Sequence, residues 1–104
     1  MARHIIWCKN LETGYAKLED IKRKYELYAI ALLVKEKTDK YCHDTLFDNG
    51  DFWGVRIAKD VWCGIRCHHA YILEADEISP EILKNVIYPS VFEDINQSQP
   101  FEYF

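Results

Sequence analysis

Apolar residues at Leu18, Ile21, Tyr25, Tyr28 and Leu32 recur at spacings of three and four, the single stripe of an amphipathic helix. Between Tyr15 and about Lys37 there is no Gly, Pro or Asn, so one long helix is expected over that stretch. Glu19 with Arg23 and Asp20 with Lys24 add acid-first i,i+4 pairs on its exposed side. A second reading ends the helix near Tyr25 and makes residues 27–34, LYAIALLV, a buried strand. The missing turn residue favours the long helix.

Before it, Arg3 to Cys8 is β-branched and aromatic, and Lys9-Asn10 can end it: a first strand. After it, two β-prone arms flank Asp48-Asn49-Gly50-Asp51, where Asn-Gly signals a tight hairpin. From Val61 to Leu73, odd-numbered positions carry Val61, Cys63, Ile65, Cys67, His69, Tyr71 and Leu73, which predicts a long third strand of a meander. Ser79-Pro80-Glu81 reads as N-cap, first-turn proline and first-turn acid of a helix carrying Ile82, Leu83, Val86 and Ile87. Pro89 interrupts that helix and opens a second short one with Val91, Phe92 and Ile95. The expected fold is α+β: an antiparallel sheet, formed by the N-terminal strand and a three-stranded meander, packed against one long helix and short C-terminal helices.

Composition changes this picture little. The 104 residues are 49% hydrophobic, enough for a core, with no linker or repeat, so a single domain over 1–104 is expected. The longest apolar run, Leu27 to Val34, is too short for a membrane span. No secretory leader pattern opens the chain, so a cytoplasmic location with reduced thiols at Cys8, Cys42, Cys63 and Cys67 is expected.

Charge changes it more. Residues 1–40 hold nine Lys/Arg against six Asp/Glu, giving +3, whereas residues 41–104 hold four against eleven, giving −7. From Glu74 onward seven acids face the single base Lys84, and rings are interleaved with them. Such a surface steers toward a basic protein partner and offers aromatic anchors. The expected docking residues are Glu74, Asp76, Glu77, Glu81, Phe92, Glu93, Asp94, Phe101, Tyr103 and Phe104. The function expected is therefore a small acidic, non-enzymatic protein-binding module. It fits an inhibitor or regulator of the accessory type that phages and mobile elements carry, with no cofactor.

Two alternatives come from other residues. Cys42, Cys63, Cys67 and His69 hold zinc-type ligands or a thiol nucleophile, although a CxxxC pair in an extended strand spreads its sulfurs by about 13 Å, too far for one ion without a bulge. Adjacent Cys42 and His43 face opposite ways on a strand, which opposes thiol activation. Lys17, Lys22, Arg23 and Lys24 form a basic run suited to phosphate contact, weakened by Glu19, Asp20 and Glu26 around it, so nucleic acid is the less favoured partner. No phosphate-binding glycine loop, GxSxG or HExxH is present.

Overall fold

A computed structural model describes residues 2–62, 64–91 and 101–103. The chain forms β1 (Arg3–Cys8), α1 (Leu11–Leu27), β2 (Leu33–Thr38), β3 (Cys42–Phe47), β4 (Phe52–Ile57), β5 (His69–Ile72) and β6 (Phe101–Tyr103). Between β5 and β6 lies a helical segment made of α2 (Pro80–Ile82), a π-helical turn (Leu83–Ile87) and α3 (Tyr88–Ser90). The six strands make one sheet in the order β2-β3-β4-β1-β5-β6.

This is the expected α+β architecture with a correction to the sheet. The antiparallel meander is β2-β3-β4, and β1 runs parallel to both β4 and β5, as β5 does to β6. The segment read as a third meander strand breaks into a 3-10 turn at Asp60–Trp62 and a positive φ of 93° at Gly64. Among its described residues only His69–Ile72 form a strand, which crosses to the far side of β1. Such a crossover makes the pairing parallel.

β1 is central and buried on both faces, which suits its nearly continuous apolar run. Ile6 and Cys8 face α1 together with Leu18, Ile21, Tyr25, Trp53 and Val55. Ile5 and Trp7 face the C-terminal helical segment with Cys67, Ile72, Val86 and Ile87. α1 lies close on the sheet because position 14 is glycine: a Cβ there would stand 2.5 Å from Val55 Cγ1 and 2.9 Å from Cys8 Sγ.

α1 stops at Leu27, well short of Lys37. Ile30 N–H donates to Tyr25 O (2.9 Å) and Ala29 N–H to Glu26 O (3.2 Å), the paired bonds of a Schellman cap, with Ala29 at φ 50°. Alanine in the left-handed region costs roughly 1 kcal/mol, so the stop is imposed by the anchoring of residues 30–33 to the hairpin rather than announced by a glycine. The hairpin forms as expected, with Gly50 at φ 91°. Ser79 caps α2 by accepting Glu81 N–H (3.3 Å), and Pro80 occupies the first turn. Pro89 does not end the helical segment. The wide turn before it accommodates a ring that clashes with a regular helix, and Val91 then turns extended and bridges to Cys67. Phe92 and Ile95 lie outside the described residues.

Candidate binding surface

The stretch 27–34 is neither helix interior nor buried strand. Leu27 (73% exposed), Tyr28 (69%), Ile30 (49%), Leu32 (73%), Leu33 (42%) and Val34 (63%) present six large apolar side chains to the outside within eight residues. Single exposed apolar residues are ordinary, whereas a contiguous set marks an interaction site. The backbone carrying them is held in place. Asp48 N–H donates to Leu32 O (2.8 Å) and Leu32 N–H to the Asp48 carboxylate (3.0 Å), which ties the segment to the hairpin turn.

Between this segment and the end of α1 lies a cleft of about 570 Å³ with Tyr25, Ile30, Leu33 and Phe47 in its wall and Lys22 and Asp48 at its rim. β2 continues from it as the sheet's outer strand, every residue of it exposed. Its register places Leu33 opposite Phe47, on the α1 side, and Lys35 and Lys37 opposite Leu46 and Asp44, on the other side. Glu36 points back toward α1, accepting from Lys22 Nζ (2.6 Å) and bonding His43 Nε2 (2.9 Å). Lys22, and then His43, hold its carboxyl below the ordinary range.

A polar and aromatic cluster supports the cleft from beneath. Trp53 Nε1 donates to Tyr25 Oη (2.9 Å), and Tyr25 Oη donates to Asp51 (2.8 Å). The His4 ring stacks on Trp53 at 3.9 Å and 8°, and lies 5.1 Å from His69. Its Nδ1 is 3.2 Å from Tyr71 Oη. Burial, and then the neighbouring His69, lower the His4 pKa to about 4.

The unfolded chain titrates this ring near 6.5, so between pH 6.5 and about 4 it takes up a proton that the folded state refuses. Stability is therefore level above that window and falls as pH drops through it. The shift is worth about 2 kcal/mol once solvent access to the half-buried ring is counted. Urea unfolding at pH 7 and pH 4.5 should show this loss, and His4→Phe, which keeps a stacked ring, should lose about 2 kcal/mol less than wild type. Equal losses in the two proteins would remove His4 as the cause.

The residues singled out in the sequence are dispersed. Glu74 accepts from Thr13 Oγ1 (2.7 Å) and Asn10 Nδ2 (3.4 Å), and so fastens the start of α1, with Asp76 and Glu77 exposed in the adjoining turn. Glu81 is exposed on α2. Phe101 and Tyr103 lie on the opposite face of the sheet with Tyr88, whose hydroxyl is 3.0 Å from that of Tyr103. The rings and Glu74 thus belong to different faces. Phe92, Glu93, Asp94 and Phe104 lie outside the described residues.

In the basic run, Lys22 pairs with Glu19 and Glu36 and Arg23 with Asp20. Lys17 and Lys24 border a cleft of about 270 Å³ that also contains Glu102. This compensation weakens a phosphate-binding reading.

Nor do the thiols and His69 converge. Cys67 is buried on the face of the C-terminal helical segment, 3.7 Å from Ser90 Oγ, whereas His69 is on the α1 face against His4. Cys42 is on β3, three strand spacings or about 14 Å from β5. Burial pushes the thiols of Cys42 and Cys67 up, away from the reactive thiolate. Among the described residues no group of His, Cys, Asp and Glu has a metal-holding arrangement, and Cys63 lies outside them. No helix among them is long and apolar enough to cross a membrane.

Sequence reasoning missed the exposed surface because the same apolar run served equally well as a core element. The one available signal was its length without interruption by polar residues, more than a one-sided stripe needs. Set beside known families, curated proteins and solved structures, the chain matches none of them.

Proposed function

We propose that the chain is a protein-binding module whose partner docks on the apolar surface of residues 27–34. The observation that carries this reading is the exposure of six large apolar side chains along one short, backbone-anchored segment beside a cleft. Covering a fully exposed side chain of this kind is worth roughly 1.5–3 kcal/mol, so two or three of them supply the anchor of an interface. The segment is fixed before binding by the Schellman cap and the Leu32–Asp48 bonds, which reduces the ordering cost on association.

The test compares affinity capture from the native host by three proteins: wild type, Tyr28→Ser/Leu32→Ser, and Glu77→Lys/Glu81→Lys. All four positions are exposed, so the folds should differ from wild type by about 0.5 kcal/mol or less per site. A partner retained by the wild type should be lost tenfold or more by the serine variant and kept by the lysine variant. The reverse pattern would move docking to the acidic surface, and equal recovery by all three would end the proposal.

A further inference from the structure

Taking the apolar surface as the docking site, we infer that its partner is an extended segment, alternating acidic and apolar side chains, that adds as a strand to the free edge of β2. β2 terminates the sheet, so its outer row of backbone N–H and C=O groups faces no strand of this chain among the described residues. Strand addition to such an edge supplies main-chain hydrogen bonds, and alternate side chains then choose the partner.

That choice is written on the two sides of β2. On the α1 side, Leu33 adjoins the apolar cleft, and Glu36 is already occupied by Lys22 and His43. On the other side Lys35 and Lys37 stand beside Asp44, Leu46 and Phe52 and make no ion pair among the described residues. An added strand therefore meets the apolar cleft at the Leu33 end of one of its faces and the two ammonium groups on the other, where the neighbouring carboxylate of Asp44 is bonded to Arg56. Carboxylates at every second position answer the lysines, and apolar residues between them enter the cleft.

A second copy paired along most of β2 does not answer them. A two-fold antiparallel pairing sets residues opposite one another symmetrically about one residue. Centring on Glu36 opposes Lys35 with Lys37, and centring on Lys35 or Lys37 opposes that lysine with itself. The lysines and the irregular register between Leu33 and Lys35 thus act against self-pairing, as guarded edge strands do.

The experiment titrates the intact protein into fluorescent eight-residue peptides alternating glutamate with valine, and into the counterpart with lysine for glutamate, at low and physiological salt. The acidic peptide should bind at least tenfold more tightly than the lysine peptide, with the preference shrinking as salt rises. Lys35→Glu/Lys37→Glu should reverse it. Two further acidic peptides carry N-methyl groups on alternate amides, one set per edge of the strand. One should bind like the parent and the other should lose binding tenfold or more, while amide exchange in β2 slows with the parent.

Equal binding by both methylated peptides overturns strand addition, and absence of binding by the acidic peptide at millimolar concentration does the same. A dimer in sedimentation that Lys35→Glu disrupts would give the edge to a second copy and also overturn it. The underlying reading is tested apart from this: Tyr28→Ser/Leu32→Ser should weaken the parent peptide, and no change there would remove the apolar surface even if strand addition held.

Discussion

Alanine at Trp53 is expected to lower the stability of the fold by about 4 kcal/mol, a large part of the 5–15 kcal/mol typical of a domain. Trp53 is 7% exposed in the α1-side core. Its ring is stacked by His4, meets Tyr25 edge-on at 6.4 Å and lies 5.1 Å from Tyr71. The neighbours come from α1, β1 and β5, so they cannot close the void without moving the helix. The indole N–H also donates to Tyr25, whose carbonyl accepts Ile30 N–H at the helix cap. Damage at Trp53 therefore reaches the segment that carries the docking surface. Urea unfolding should give the 4 kcal/mol loss for Trp53→Ala and about half of it for Trp53→Phe, which keeps a stacked ring. Amide exchange at Ile30 should accelerate in the alanine variant before global unfolding. A loss under 1 kcal/mol, or an unchanged Ile30 rate, would contradict this linkage.

Local rules made much of the fold legible. Arg3–Cys8, the Asn49-Gly50 hairpin and the Ser79-Pro80-Glu81 start each rest on neighbouring residues that satisfy a backbone requirement. What failed needed information from elsewhere in the chain. The end of α1 is set by Ala29 in a left-handed conformation, which no local preference signals; the stop is enforced by Asp48, sixteen residues after Leu32, gripping the departing backbone. Likewise the alternation from Val61 to Leu73 is real as a pattern, but Gly64 and the bend at His68 reset which face each side chain takes. Cys67 and His69, two apart, consequently end on opposite faces.

The candidate site was less legible still. A run such as LYAIALLV states that its residues are apolar, and tertiary structure alone states whether they meet protein or solvent. Charge counting sums Glu74, Glu81 and Glu102 without their places. Glu74 is spent on the start of α1, Glu81 is on α2, and Glu102 faces the cleft beside Lys17 and Lys24. The lysines that matter for strand addition, Lys35 and Lys37, fall in the tail of the helix that the periodicity predicts. In a helix the period-two separation of Lys35 and Lys37 from Glu36 has no meaning, whereas on an edge strand it sorts them to different faces.

Removing the carboxylate of Asp44 should cost about 3 kcal/mol, and removing its partner as well should restore most of that loss. Arg56 is 5% exposed, and its Nη1 donates to Asp44 Oδ1 and to Val55 O (3.0 Å), with the guanidinium 5.0 Å from the Trp62 ring centre. Gly54 makes room for the pair, since a Cβ there would stand 3.0 Å from both Arg56 Nη1 and Asp44 Oδ1. Asp44→Ala leaves a buried cation with a carbonyl as its acceptor, and Arg56 Nε already has none. Buried pairs respond this way because the desolvation of both ions is sunk in the fold, so a single deletion strands one charge while an apolar double replacement strands neither. Urea unfolding of Asp44→Ala, Arg56→Met and Asp44→Leu/Arg56→Met should show a double variant within about 1 kcal/mol of wild type. A double variant at least as unstable as Asp44→Ala would refute the assignment. Asp44 also lies opposite Lys37 on the outer face of β2 and β3. The double variant therefore removes a carboxylate that competes for that lysine, and it should bind the acidic peptide more tightly than wild type while remaining as well folded.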